Sequence, residues 1–109
     1  MQEALLGNRT VEKVLFFLHT YEKGYPKRMA DVFHLSLNGI QQQLKRLEEG
    51  GVVVSELAGR TRIYQFNPRY PFLKEIKSLL EKAFTFLPEK ELTEYYRLRT
   101  RPRRPGKPL

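Results

Sequence analysis

The chain has 109 residues, 40% hydrophobic and 29% charged, which is room for one domain with a modest core and none for a second, catalytic one. It contains no cysteine, which excludes a disulfide framework, a thiolate metal cluster and a cysteine nucleophile. The net charge is +8, but Arg97, Arg99, Arg101, Arg103, Arg104 and Lys107 all follow the last acidic residue, so residues 1–96 carry only +2. Any polyanion-binding role of the folded part must rest on where a few cations lie. Met1-Gln2-Glu3-Ala4-Leu5-Leu6 shows no basic stretch leading into an apolar run, and nothing approaches the roughly 18 apolar residues of a membrane span, so a cytoplasmic chain without a membrane partner is expected.

In chain order, Leu5 and Leu6 predict a short leading turn of helix. Val11, Val14, Leu15 and Leu18 then recur at helical spacing, with Asn8 as N-cap and Gly24 as stop, predicting a helix over about residues 9–22. Pro26 disfavours helical geometry at Tyr25, so the connector is extended. A short second helix over about residues 27–33 would bury Met29, Ala30 and Phe33. Ser36 is a natural N-cap for a third helix whose stripe is Ile40, Leu44 and Leu47 and whose end is Gly50-Gly51. At about 100° per residue, the opposite side carries Asn38, Gln42, Lys45 and Glu49, flanked by Gln41 and Arg46.

Residues 52–57 and 61–66 are β-rich runs joined by Ala58-Gly59-Arg60, a hairpin with a basic tip. Pro68 and Pro71 break the second strand, and an amphipathic helix follows over about residues 71–87, ended by Pro88. Its apolar residues are Phe72, Leu73, Ile76, Leu79, Leu80, Ala83, Phe84 and Leu87. A last short helix, about residues 89–98, carries Leu92, Tyr95 and Tyr96, and from Arg99 three prolines, one glycine and five cations predict little order.

Three helices, a two-strand hairpin and a further helix form the winged-helix order. From Met29-Ala30-Asp31-Val32-Phe33-His34-Leu35-Ser36 through Ile40, Leu44, Leu47, Gly51 and Val52, the sequence resembles the helix-turn-helix and wing of arsenic-repressor-type (ArsR-like) and multiple-antibiotic-resistance-type (MarR-like) prokaryotic regulators. The resemblance covers about residues 5–75. Leu5-Leu6-Gly7-Asn8-Arg9-Thr10, Tyr64, Phe66-Asn67-Pro68 and Pro71-Phe72 resemble a subgroup of small winged helices, some of them associated with nucleotidyltransferases. The fold class expected is mainly α with a two-strand β wing (α+β) and a C-terminal dimerisation helix. The expected division is a DNA-binding domain at 1–70, a helical dimerisation region at 71–98 and a basic tail at 99–109, which is an arm on DNA phosphate, an RNA-binding segment or a solvated terminus, the first being preferred.

The resemblance implies a homodimeric regulator of transcription, a repressor, that binds double-stranded DNA with the third helix in the major groove and the wing on the backbone or minor groove. Gln41, Gln42 and Asn38 carry amides that can pair bidentately with adenine, and Lys45 reaches guanine or phosphate. Arg60 and Arg62 would hold phosphate or a narrow minor groove. Lys27 and Arg28 add charge to the free amides that start the second helix, and Ser36, Arg46 and Arg9 complete the footprint. Two residues depart from the family pattern. His34 stands where the turn usually has glycine, so a left-handed backbone is expected there, and Gly39 sits inside the first turn of the third helix.

Structural readings stand beside these. Glutamines opposite an apolar stripe also suit a solvated face, and an arginine at a hairpin tip also confers solubility. His19 and His34, without cysteine or a carboxylate set, are structural, so no metal or other cofactor is expected, and no effector site is legible. The stripe of residues 72–87 either packs on the first helix or forms a homodimer interface through Phe72, Ile76, Leu79, Leu80, Ala83, Phe84 and Leu87. The second is expected, because three helices and a hairpin already close a small core. No phosphate loop, nucleophile motif or paired carboxylates point to an enzyme, and Glu48-Glu49 reads as surface charge. The rival is a winged helix that binds protein, as an adaptor to a nucleotidyltransferase or the transcription machinery. Convergence of Lys27, Arg28, Lys45, Arg60 and Arg62 on one face would favour DNA.

Overall fold

In the computed structural model, residues 8–100 are described, with side chains from 8 to 96. The leading turn expected at Leu5-Leu6 and the tail from residue 101 lie outside them. Helix α1, Arg9–Tyr21, is capped by the Asn8 side chain, which accepts from the Val11 N–H at 2.8 Å. It stops at Glu22, with φ 73° and ψ −38°, and not at Gly24. Gly24 instead lies in a two-residue strand, β1 (Lys23–Gly24), paired with Tyr64. A Cβ there would collide with the Phe17 ring and stand 3.0 Å from Met29 Cε, so glycine serves close approach at this position.

Helix α2, Pro26–Phe33, begins on the extended Tyr25, its first residue needing no N–H. His34 takes the expected left-handed conformation, φ 58° and ψ 43°, and the His34 and Leu35 N–H groups both return to the Ala30 carbonyl. Helix α3, Leu37–Glu49, follows at once, with Ser36 Oγ accepting from the Gly39 N–H at 3.0 Å. Strands β2 (Val53–Ala58) and β3 (Thr61–Phe66) form the hairpin, turning through Gly59 at φ 68° and Arg60. The antiparallel sheet has three strands in the order β1-β3-β2, one more than expected. Helix α4, Leu73–Phe84, is shorter at both ends than the stripe suggested. Helix α5, Glu89–Thr100, kinks at Tyr96 (φ −125°, ψ 16°) and runs two residues into the segment expected to lack order. No helix among the described residues is long and apolar enough to cross a membrane.

The core is organised around α1, where every residue from Val11 to Leu18 is buried. Eight consecutive helical residues circle the axis more than twice, so α1 needs cover on all sides. Helices α2 and α3 and the sheet supply one side. The other belongs to α4 and α5: Phe84 stacks on Phe16 at 5.0 Å between centroids, and Tyr96, 1% exposed, packs between Phe16, Phe33 and Phe84. Tyr21 donates its hydroxyl to the Tyr95 carbonyl. The buried Lys13 ammonium lies 4.7 Å from the Tyr95 ring centre and 3.7 Å from the Glu91 carboxylate.

This corrects the expectation for the 72–87 stripe. Leu80 and Ala83, 0% and 3% exposed, are enclosed by the chain itself, and Phe84, Leu87 and Ile76 are partly buried against the same core. Three helices and a hairpin leave the Phe16 side of α1 bare, and most of the α4 stripe packs on the core there. Phe72, 61% exposed, and the half-buried Leu79 stay outside this packing, and Phe86, beyond the end of α4, is 62% exposed.

Leu80→Ala is expected to lower unfolding stability by about 2–5 kcal/mol, read by urea denaturation and independent of protein concentration. A variant that unfolds like the parent and changes only self-association would contradict this packing.

Candidate nucleic-acid interface

The junction from α2 to α3 sets the site. Only His34, Leu35 and Ser36 separate the helices, and a left-handed residue followed by an extended cap turns the chain sharply. Ile40 and Leu44 are then fully buried, which rotates Asn38, Gln41, Gln42, Lys45 and Arg46 outward, all exposed. Gly39, which departs from the resemblance, has a local cause: a Cβ there would stand 2.9 Å from Ser36 Oγ and crowd out the cap. Ser36 thus spends its acceptor on the helix, leaving its O–H free to donate.

Beside this face runs a groove of about 680 Å³ between the start of α2, α3 and the hairpin. Lys27, Gln41, Lys45, Arg60 and Arg62 line it, with Tyr25 and Tyr64 among its walls. Four of the five cations expected to converge therefore do so. Arg28 does not: it lines a separate depression over the outer face of the sheet, with Lys23, Val54 and Ile63, and its guanidinium lies 5.8 Å from the Tyr21 ring centre. Asn38, Gln42 and Arg46 stand on α3 outside the groove.

The four groove cations are not equivalent. Lys27 pairs with Asp31 one turn on, 3.2 Å apart and both exposed, a pair worth little in water. Arg62 Nη1 donates to Ser55 Oγ at 3.1 Å, and Ser55 Oγ donates to Glu48 Oε2 at 2.8 Å. Among the described residues, Lys45 and Arg60 have no acidic partner. Glu48, read from the sequence as surface charge, has a partner that the sequence does not show, since the hairpin's return brings Ser55 to it. Burial and the Glu48 carboxylate push the Tyr64 phenol above the usual tyrosine range, and Arg62 pulls it back.

His34 is exposed at the turn, while His19 Nε2 lies 3.3 Å from Glu81 Oε1 and its ring lies against Phe84. Among the described residues, no group of three or more His, Asp or Glu side chains could hold a metal ion.

Solved structures share this architecture. A double mutant of ZitR from Lactococcus lactis, in apo form, has a TM-score of 0.57 at 23% identity, over 84% of this chain and 68% of that one. The adhesin competence repressor AdcR from Streptococcus pyogenes has a TM-score of 0.59 at 17% identity, over 88% and 69%. A MarR family transcriptional regulator from Silicibacter pomeroyi has a TM-score of 0.58 at 12% identity, over 84% and 65%. No family model and no curated protein matches the chain. The likeness gives the fold, an α+β winged helix.

Ser36→Ala should cost about 1 kcal/mol of stability through the lost cap, whereas Ser36→Asn should keep most of it. Gly39→Ala, normally favourable inside a helix, should fail to stabilise. Urea titration of the three variants checks this; a stabilised Gly39→Ala would mean that the cap does not crowd that position.

Proposed function

We propose that this chain is a homodimeric transcriptional regulator that binds double-stranded DNA, with α3 in the major groove and the hairpin against the backbone or minor groove. The observation that carries the reading is the outward amide face of α3 beside a groove into which Lys27, Lys45, Arg60 and Arg62 converge. Gln41, Gln42 and Asn38 offer donor and acceptor pairs that match adenine, while Lys45 and Arg60 supply charge for guanine or phosphate. Arg9, Arg28 and Arg46 are exposed and add to a salt-dependent footprint. Regulators among the solved structures that share the fold, a repressor included, support the same reading.

In this proposal residues 1–70 hold DNA, 71–98 pair with a second copy and 99–109 form a basic arm. Pairing would use the flank of α4 that the core leaves uncovered, Phe72 and Leu79, together with Phe86 just beyond its end. A two-fold axis would set two α3 helices about one turn of DNA, roughly 34–36 Å, apart. The chain performs no catalysis in this reading. Convergent cations favour DNA over the adaptor alternative, in which a protein would sit on this face.

Selection from randomised duplexes tests the reading. It should recover an inverted repeat whose halves are 10–11 base pairs apart, about one helical turn, and the pair of changes Gln42→Ala and Lys45→Ala should abolish preference for it without loss of fold. Absence of enrichment, or normal preference in the double variant, would refute the assignment of this face.

A further inference from the structure

We propose that Glu48, Ser55 and Arg62 form a relay that fixes the pitch of the hairpin against α3, with Ser55 the positioning residue through which Arg62 serves discrimination between duplexes and not phosphate attraction. The inference rests on the reading of the groove as a DNA site. Its direction follows from donor chemistry. Guanidinium has hydrogens and no acceptor, so Arg62 Nη1 must donate to Ser55 Oγ, and the serine's single proton is left to point at Glu48 Oε2. Each member belongs to a different element: Glu48 to the last turn of α3, Ser55 to β2 and Arg62 to β3. Ser55 lies opposite Tyr64 and Leu57 opposite Arg62, so Ser55 and Arg62 are diagonal neighbours on one face of the ladder.

The position of the relay gives it leverage. The hairpin is anchored at its base, where Val53 and Phe66 are buried and Asn67 Nδ2 donates to the Gly51 carbonyl, while Glu56 to Arg60 are exposed. Between base and tip, the Glu48–Ser55–Arg62 chain ties the ladder sideways to α3. It decides where Arg60 stands relative to Gln41 and Lys45 across the groove. Its two charges also oppose each other, so Arg62 contributes less attraction for a polyanion than Arg60, which has no acidic partner among the described residues.

The test uses the full chain as Ser55→Ala, Ser55→Thr, Arg62→Gln, Arg60→Gln and the Ser55→Ala/Arg62→Gln pair. Affinity is measured on the selected duplex and on a scrambled one over a range of salt, and amide hydrogen exchange is measured without DNA. Ser55→Ala and Arg62→Gln should each lower the ratio of selected to scrambled affinity about fivefold, with the salt slope unchanged. The double variant should be no worse than either, and Ser55→Thr should behave as the parent. Arg60→Gln should reduce the slope by about 0.9. Without DNA, Ser55→Ala should speed exchange in β2 and β3 toward the tip. Arg62→Gln lowering the slope as Arg60→Gln does, with Ser55→Ala at the parental ratio, would make Arg62 a phosphate ligand and overturn the proposal. Unchanged hairpin exchange in Ser55→Ala would overturn the relay even if DNA binds. A parent chain that binds no duplex, with faster exchange in Ser55→Ala, would sink the DNA reading and, with it, the role in discrimination.

Discussion

Val11 to Leu18 are eight successive helical residues and all are buried, so α1 has no solvent side over two turns. Each large apolar side chain there contributes about 1.5–3 kcal/mol only if something covers it, and the remaining elements are arranged to do so. Helices α2 and α3 and the sheet take one side, α4 and α5 the other. The buried ammonium of that stretch is accommodated by the cover itself: Lys13 is held by Glu91 and by the faces of Tyr95 and Phe33. A helix enclosed in this way fixes its neighbours in angle as well as in place. That is why the outward side of α3 has a defined relation to the hairpin and to the start of α2.

From that arrangement the chemistry of the surface follows. Burial of Ile40 and Leu44 leaves α3 no choice about which residues it shows, and those are amides and cations. The turn through His34 and the cap at Ser36 bring the start of α2 alongside, so Lys27 joins Lys45 across a groove closed by the hairpin. Within the groove, local pairing sorts the charges. Lys27 and Arg62 are engaged by the chain's own groups, while Lys45 and Arg60 are available to a ligand. A modest net charge on residues 1–96 is thereby compatible with a concentrated local field.

Where local chemistry decides structure, the sequence was legible. Asn8 and Ser36 cap as their side chains predict, Tyr25 before Pro26 is extended, and His34 takes the left-handed turn. The outward face of α3 follows from helical period alone. What failed depended on distant partners. Strand β1 has two residues, too few to show alternation, and its Gly24 has the spacing of a helix stop although it is the Phe17 ring that requires glycine there. The α4 stripe reads as surplus to the core, and so as a dimer face, because three helices and a hairpin suffice to cover the Val11, Val14, Leu15 and Leu18 stripe of α1 but not its Phe16 and Phe17. Those two aromatics, on the other sides of the helix, were the available signal that a further layer was required. Arg28 and Glu48 could not be placed from spacing, since one is drawn aside by Tyr21 and the other is met by Ser55 only when the hairpin returns.

Regulation through DNA requires that the α3 face and its groove be where a nucleic acid lands. Titration of a short duplex into isotope-labelled protein at low salt, followed by amide and side-chain NMR, addresses this without knowledge of any operator. Shifts concentrated at Asn38, Gln41, Gln42 and Lys45, with Arg60 at the hairpin tip, are the result predicted. Shifts confined to α4 and α5, with α3 undisturbed, would contradict it.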